Sequence, residues 1–146
     1  MKFLLVFSLM SSIFVPDVPQ QTTEAEIQLM VHNIRSAKGK ILVGVYDKAE
    51  SFTDDPQYSL EFSKENFRDG MVTCRFSLPI GTYAFSLLDD ENEDYEMNYN
   101  LFGIPKEGYG FSKDAKVKLL SPPAFDDCKL QLSLGMNALK VRARYF

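Results

Sequence analysis

At 146 residues with 45% hydrophobic side chains, the chain has the size of one globular domain with its own core, and it is short for two. A net charge of -4 with no clustered Lys or Arg gives a phosphate backbone nothing to settle on, so nucleic acid is excluded as the expected partner.

The chain opens with "MKFLLVFSLMSSIFV", one Lys ahead of an apolar run over Phe3 to Val15. The run suits a signal-peptide core and is short for a membrane span. Residues 1–21 are therefore expected to be a signal peptide and flexible leader, and residues 22–146 a single exported domain with no transmembrane span. No Cys directly follows the run, so nothing points to a lipid-anchored end.

Beyond the leader, apolar residues recur at every second position, the period of half-buried strands. Ile27, Leu29 and Val31 form one set and Ile41, Val43 and Val45 the next; with Gly39 between them, they read as a hairpin. The polar segment from Lys48 to Gly70 carries no clear assignment. "MVTCRFSL" and "TYAFSLLD" read as a second hairpin around Pro79, Ile80 and Gly81. "AKVKLLS" is a shorter strand ended by Pro122 and Pro123, and "CKLQLSLG" and "LKVRARYF" are the last two. About seven short strands with turn signals between them predict an all-β fold, an antiparallel two-sheet sandwich.

Asp89, Asp90, Glu91, Glu93, Asp94 and Glu96 crowd the end of the fourth strand, interleaved with Asn92, Asn98 and Asn100. Hard cations take oxygen ligands of this kind, and alternate residues of a tight loop can converge on one ion. Asp90, Asn92, Asp94 and Asn98 are the candidate calcium ligands. The spacing is not that of an EF-hand, because Tyr95 stands where the turn glycine belongs and Leu101 where the bidentate Glu belongs. The other reading is a solvated acidic rim, its charge offset by nearby cations such as Lys140, Arg142 and Arg144 of the last strand. The run that follows, "GIPKEGYGF", reads as a shaped loop, with Glu107, Tyr109 and Phe111 joining Asp89 and Asn100 as its surface.

Cys74 and Cys128 both fall on core parity; they form either a disulfide or two buried thiols. His32, the single histidine, lies on the outward parity, so a Ser/His/Asp or Cys/His arrangement has little to build on.

The run Leu78 to Ser112, "LPIGTYAFSLLDDENEDYEMNYNLFGIPKEGYGFS", closely resembles the hallmark of a bacterial exported family, domain-of-unknown-function family 2141. The family pattern maps its D-E-N onto Asp90, Glu91 and Asn92, a later Asn onto Asn100, G-I-P onto Gly103 to Pro105, and E-G-Y-G-F-S onto Glu107 to Ser112. Where the family has His and two loop glycines, this chain has Asp89, Glu93 and Tyr95. The resemblance implies an immunoglobulin-like or prealbumin-like sandwich, periplasmic or exposed at the cell surface, without established activity. The expected function is a non-catalytic envelope module that binds an envelope protein or glycan, its acidic loop ordered by calcium. The alternatives are a glycan-acting hydrolase with paired carboxylates and a purely structural assembly domain.

Overall fold

The computed structural model describes residues 23–118 and 121–146. The expected leader lies outside the described residues. Eight strands follow one another: β1 (Glu24–His32), β2 (Lys40–Tyr46), β3 (Tyr58–Ser63), β4 (Met71–Pro79), β5 (Gly81–Asp90), β6 (Gly108–Phe111), β7 (Leu130–Leu132) and β8 (Gly135–Arg142). The helical content described is a 3-10 turn at Ser112–Asp114 and a single-turn helix, α1 (Phe125–Cys128). No described helix is long and apolar enough to cross a membrane.

The strands form a two-sheet sandwich. One sheet runs β4-β1-β8 and the other β3-β2-β5-β6, with β7 pairing to the start of β5. Alternation sets the inner faces. Ala25, Ile27, Leu29 and Val31 of β1, with Val72 and Cys74 of β4, meet Ile41, Val43 and Val45 of β2 and Phe85 and Leu87 of β5. Fully burying a side chain of this kind contributes about 1.5–3 kcal/mol, so this dry layer is the main source of stability. Strand β5 is buried on both faces, because Ala84 joins Tyr46, Phe52, Tyr109, Phe111 and Cys128 in a second cluster outside the sheet.

The alternation predicts buried faces correctly, but the neighbours differ from those the turns suggested. Strands β1 and β2 lie in different sheets, as do β4 and β5, so both expected hairpins are instead corners between sheets; β7 and β8 likewise lie in different sheets. At the second corner Gly81 stays out of the left-handed region that two-residue hairpin loops exploit, and the chain passes through Pro79, Ile80 and Gly81 without reversing within one sheet. The pairing is also not wholly antiparallel: β8 runs parallel to β1, with Leu29 opposite Leu139. Strands β3 and β6 arise from segments with no strand assignment. "AKVKLLS" is represented among the described residues by one bridge between Lys118 and Ser121.

Beyond β8 the chain crosses to the other sheet. Tyr109 and Arg144 exchange backbone hydrogen bonds of 3.0 and 2.8 Å, which closes one side of the sandwich. Gly108 permits this, since a Cβ there would lie 2.4 Å from the Tyr145 ring. The thiols of Cys74 and Cys128 are both free and buried, one in each apolar cluster. No disulfide joins them. Cys128 closes helix α1 rather than beginning a strand, which carries it out of the sheet plane that its parity suggested.

Candidate functional site

The site is built at the end of β5. The antiparallel register of β5 with β6 pairs Asp89 with Gly108, so the next positions, Asp90 and Glu107, face each other where the strands diverge. Between them the chain makes an acidic turn and a longer excursion. Asp90 is fully buried and anchors the turn: its Oδ1 accepts from the Asp94 amide at 3.2 Å and its Oδ2 from the Tyr95 amide at 3.0 Å. Two residues of the turn, Glu93 at φ 59° and Tyr95 at φ 66°, occupy the left-handed region.

Polar side chains converge inside this turn. Asn98 Nδ2 donates to Asp94 Oδ2 at 2.8 Å, and Asn92 Nδ2 donates to Asp94 Oδ2 at 2.9 Å and to Asn98 Oδ1 at 2.7 Å. The Glu96 amide donates to Asp94 Oδ1 at 3.0 Å. With the Asn98 amide bond first among the causes, these hold the Asp94 carboxyl below the ordinary carboxylate range. All four expected ligands, Asp90, Asn92, Asp94 and Asn98, therefore come together.

The structure adds a fifth residue, Glu107. Carboxylate oxygens of Asp90, Asp94 and Glu107 lie within 4.8 Å of one another. Glu107 Oε2 accepts from the Asn98 amide at 3.2 Å, while its Oε1 is buried with no hydrogen-bond donor. Burial pushes the Glu107 carboxyl above its ordinary value; the Asn98 amide opposes that shift, and the Asp90 and Asp94 charges add to it. Glu107 was expected on the loop surface, and only 5% of it is exposed.

The acidic run divides by its partners. Glu91 is clamped by Arg35, whose Nε donates to its two oxygens at 3.2 and 3.0 Å and whose Nη2 also contacts Oε2. Ser36 Oγ donates to Glu91 Oε1 at 2.7 Å. Asp89 is fully buried against the Lys64 ammonium and the Tyr145 hydroxyl, and Lys64 also donates to the Ser36 and Lys38 carbonyls at 3.2 and 2.5 Å. Burial pushes the Asp89 carboxyl up, with Lys64 and Tyr145 pulling it back. Gly39 lets the segment carrying these carbonyls press on the end of β5, because a Cβ there would lie 1.9 Å from the Asp90 carbonyl oxygen. Among the described residues Asp90, Asp94 and Glu107 have no cationic partner. The compensating charges come from Arg35 and Lys64 rather than from Lys140, Arg142 and Arg144; the Arg142 amide donates to Asp114 Oδ1 at 2.7 Å and Arg144 Nη2 to the Asp114 carbonyl at 3.0 Å.

Other members of the expected loop surface also lie inside. Tyr109 and Phe111 are buried in β6, part of the outer apolar cluster. Asn100 is half-buried and builds the loop tip, its Oδ1 accepting from the Phe102 and Ile104 amides at 2.8 and 3.0 Å. The tip itself exposes Leu101 and Phe102 almost completely. Between the tip and the outer face of the β3-β2-β5-β6 sheet lies a groove of about 810 Å³. Its two carboxylates, Asp54 and Glu61, are both exposed.

Comparison with known proteins gives one family. A profile described as "Uncharacterized protein conserved in bacteria (DUF2141)" matches residues 29–140, from within β1 to within β8, and takes in the whole acidic turn. No curated protein matches. Among solved structures, a leucine-rich repeat protein from Bacteroides thetaiotaomicron VPI-5482 is 19% identical over 84% of this chain and 12% of that one, with a TM-score of 0.37. A likeness at that score carries no argument.

Proposed function

The chain belongs to the DUF2141 family of uncharacterised bacterial proteins, and on that premise we propose that it is an exported, non-catalytic sandwich module of the cell envelope whose acidic turn is ordered by a bound calcium ion. One observation carries the cation reading: Glu107 is buried with its Oε1 lacking a donor, and carboxylate oxygens of Asp90, Asp94 and Glu107 lie within 4.8 Å of one another with no cationic partner among the described residues. A hard divalent ion satisfies all three at once. Calcium takes about six to eight oxygens, and Asp90, Asp94 and Glu107 with the amide oxygens of Asn92 and Asn98 supply most of them, water the rest. The amides turn their oxygens inward by rotating end for end.

The apolar opening run in the sequence supports export, and the compartment proposed is the periplasm or the cell surface. Its partner is an envelope protein or glycan. A glycan hydrolase needs a sheltered carboxyl as general acid; the two carboxylates of the groove stand in solvent, which favours the non-catalytic reading.

The test is thermal unfolding in EDTA and then in millimolar calcium or magnesium at fixed ionic strength. Binding to the folded state alone raises stability by about 2.7 kcal/mol at a hundredfold excess over Kd. The expected result is a rise selective for calcium that is lost in Asp94→Ala, an exposed position whose substitution leaves the core intact. An unchanged melting curve at every calcium concentration would overturn the reading.

A further inference from the structure

The groove on the outer sheet face sits beside the cation site. Leu42 and Gly44 of β2 and Ser86 and Leu88 of β5 supply its floor. Tyr46, Tyr109 and Phe111 wall one part, and Tyr95, Met97 and Tyr99 of the acidic loop wall another. Its volume of about 810 Å³ falls in the range of sites that enclose a small organic molecule, roughly 300–1,000 Å³.

The charges around it are unequal. Asp54 and Glu61 are the charged side chains of the lining, and both are acidic. Lys40 Nζ approaches Glu61 at 3.4 Å and donates to the Tyr95 hydroxyl at 2.6 Å, so Glu61 is compensated. Asp54 has no ion-pair partner among the described residues. It lies near Tyr46, whose hydroxyl shares a 3.2 Å hydrogen bond with Ser86 Oγ. Tyrosine faces attract cations through their ring quadrupole, and the wall carries two exposed tyrosine rings, Tyr95 and Tyr99.

We propose that this groove is a binding site for a small molecule with an apolar body and one positively charged nitrogen, the body lying on the Leu42 and Leu88 floor and the charge meeting Asp54 among the tyrosines. The apolar floor selects a hydrophobic body, while one uncompensated carboxylate selects one positive charge. Neutral sugars gain the stacking but not the charge. This goes beyond the cation site and does not require it, although the loop that holds Asp94 also holds Tyr95, Met97 and Tyr99.

The test is titration with phenyltrimethylammonium, with its neutral carbon isostere tert-butylbenzene, and with the disaccharide chitobiose, followed by two-dimensional NMR of the full domain in EDTA and again in calcium. Phenyltrimethylammonium should bind about fivefold more tightly than the isostere, the scale of a tyrosine–cation contact, and its shifts should map to Tyr46, Tyr99 and the Asp54 turn. Asp54→Asn should reduce that preference and leave the isostere's affinity unchanged; Tyr99→Ala should weaken both. Both positions are exposed, so the variants keep the fold. Equal affinity for the two isosteres, shifts mapping away from the groove, or binding of chitobiose alone would overturn the proposal. Running the titration in EDTA as well as calcium separates its failure from that of the cation site.

Discussion

Replacing Glu107 by Gln should have opposite effects in the two states of the acidic turn. Gln keeps the size of the side chain and an acceptor for the Asn98 amide, and it removes one charge from within 4.8 Å of Asp90. The repulsion at that separation is roughly 1–3 kcal/mol, from a water-like dielectric at one end to an effective value near 20 at the other. With the turn open to solvent on its Asp94 side, the lower half applies. In EDTA, Glu107→Gln should therefore stabilise by about 1–2 kcal/mol and raise Tm by roughly 5 °C. In saturating calcium the order should reverse, since the variant has given up a ligand.

The pH dependence follows with a definite sign. The Glu107 carboxyl lies above its ordinary value when folded, so between the unfolded and folded values the native state binds more protons and stability falls as pH rises. That slope should be shallower in Glu107→Gln than in the parent protein in EDTA, since Asp89, also raised by burial, keeps its own share. Calorimetry of both proteins across acid to neutral pH, with and without calcium, reads all of this. A variant less stable than the parent in EDTA would refute the charge crowding, and equal calcium responses would refute Glu107 as a ligand.

Glu93→Gly should stabilise, because glycine occupies the left-handed region freely while a side chain there costs about 1–2 kcal/mol, partly returned as chain entropy. A fall in the urea midpoint would show that the Glu93 side chain makes a contact outweighing its backbone strain. Lys64→Met should cost about 3–5 kcal/mol by leaving Asp89 as a buried charge without its partner; a loss under 1 kcal/mol by denaturant titration would mean that Asp89 is neutral in the fold. Burial pushes the Cys74 thiol up to about 12 and the Cys128 thiol up to about 11. Both should be inert to a thiol reagent at neutral pH and react together on unfolding; rapid labelling of the native protein would contradict their burial.

The sequence reveals faces far better than it reveals neighbours. Ile27, Leu29 and Val31 declare a buried side by alternation alone, yet nothing local states that β1 lies between β4 and a parallel β8. The same limit explains the site. Asp90, Asn92, Asp94 and Asn98 were legible because they share one short turn. Glu107 was not, since its place follows from the β5-β6 register, and β6 is short and rich in glycine. Asp89 did carry a signal that went unused: it shares its parity with Phe85 and Leu87, which marks it as inward and in need of a partner. That partner, Lys64, comes from a polar stretch with no readable period.

The parallel pairing of β1 with β8 also dictates how the chain folds. The centre of one sheet is contributed by the first described strand, while one of its two neighbours comes near the end of the chain; Asn137 donates to the Glu26 carbonyl across a separation of 111 residues. Such contacts require a long loop to close before they give any return, which places the domain among slow, high-contact-order folders. Until β8 arrives, the edge of β1 is an unpaired and apolar template. A nascent or partly unfolded chain is therefore most prone to aggregate through Ile27, Leu29 and Val31, however soluble the finished sandwich is.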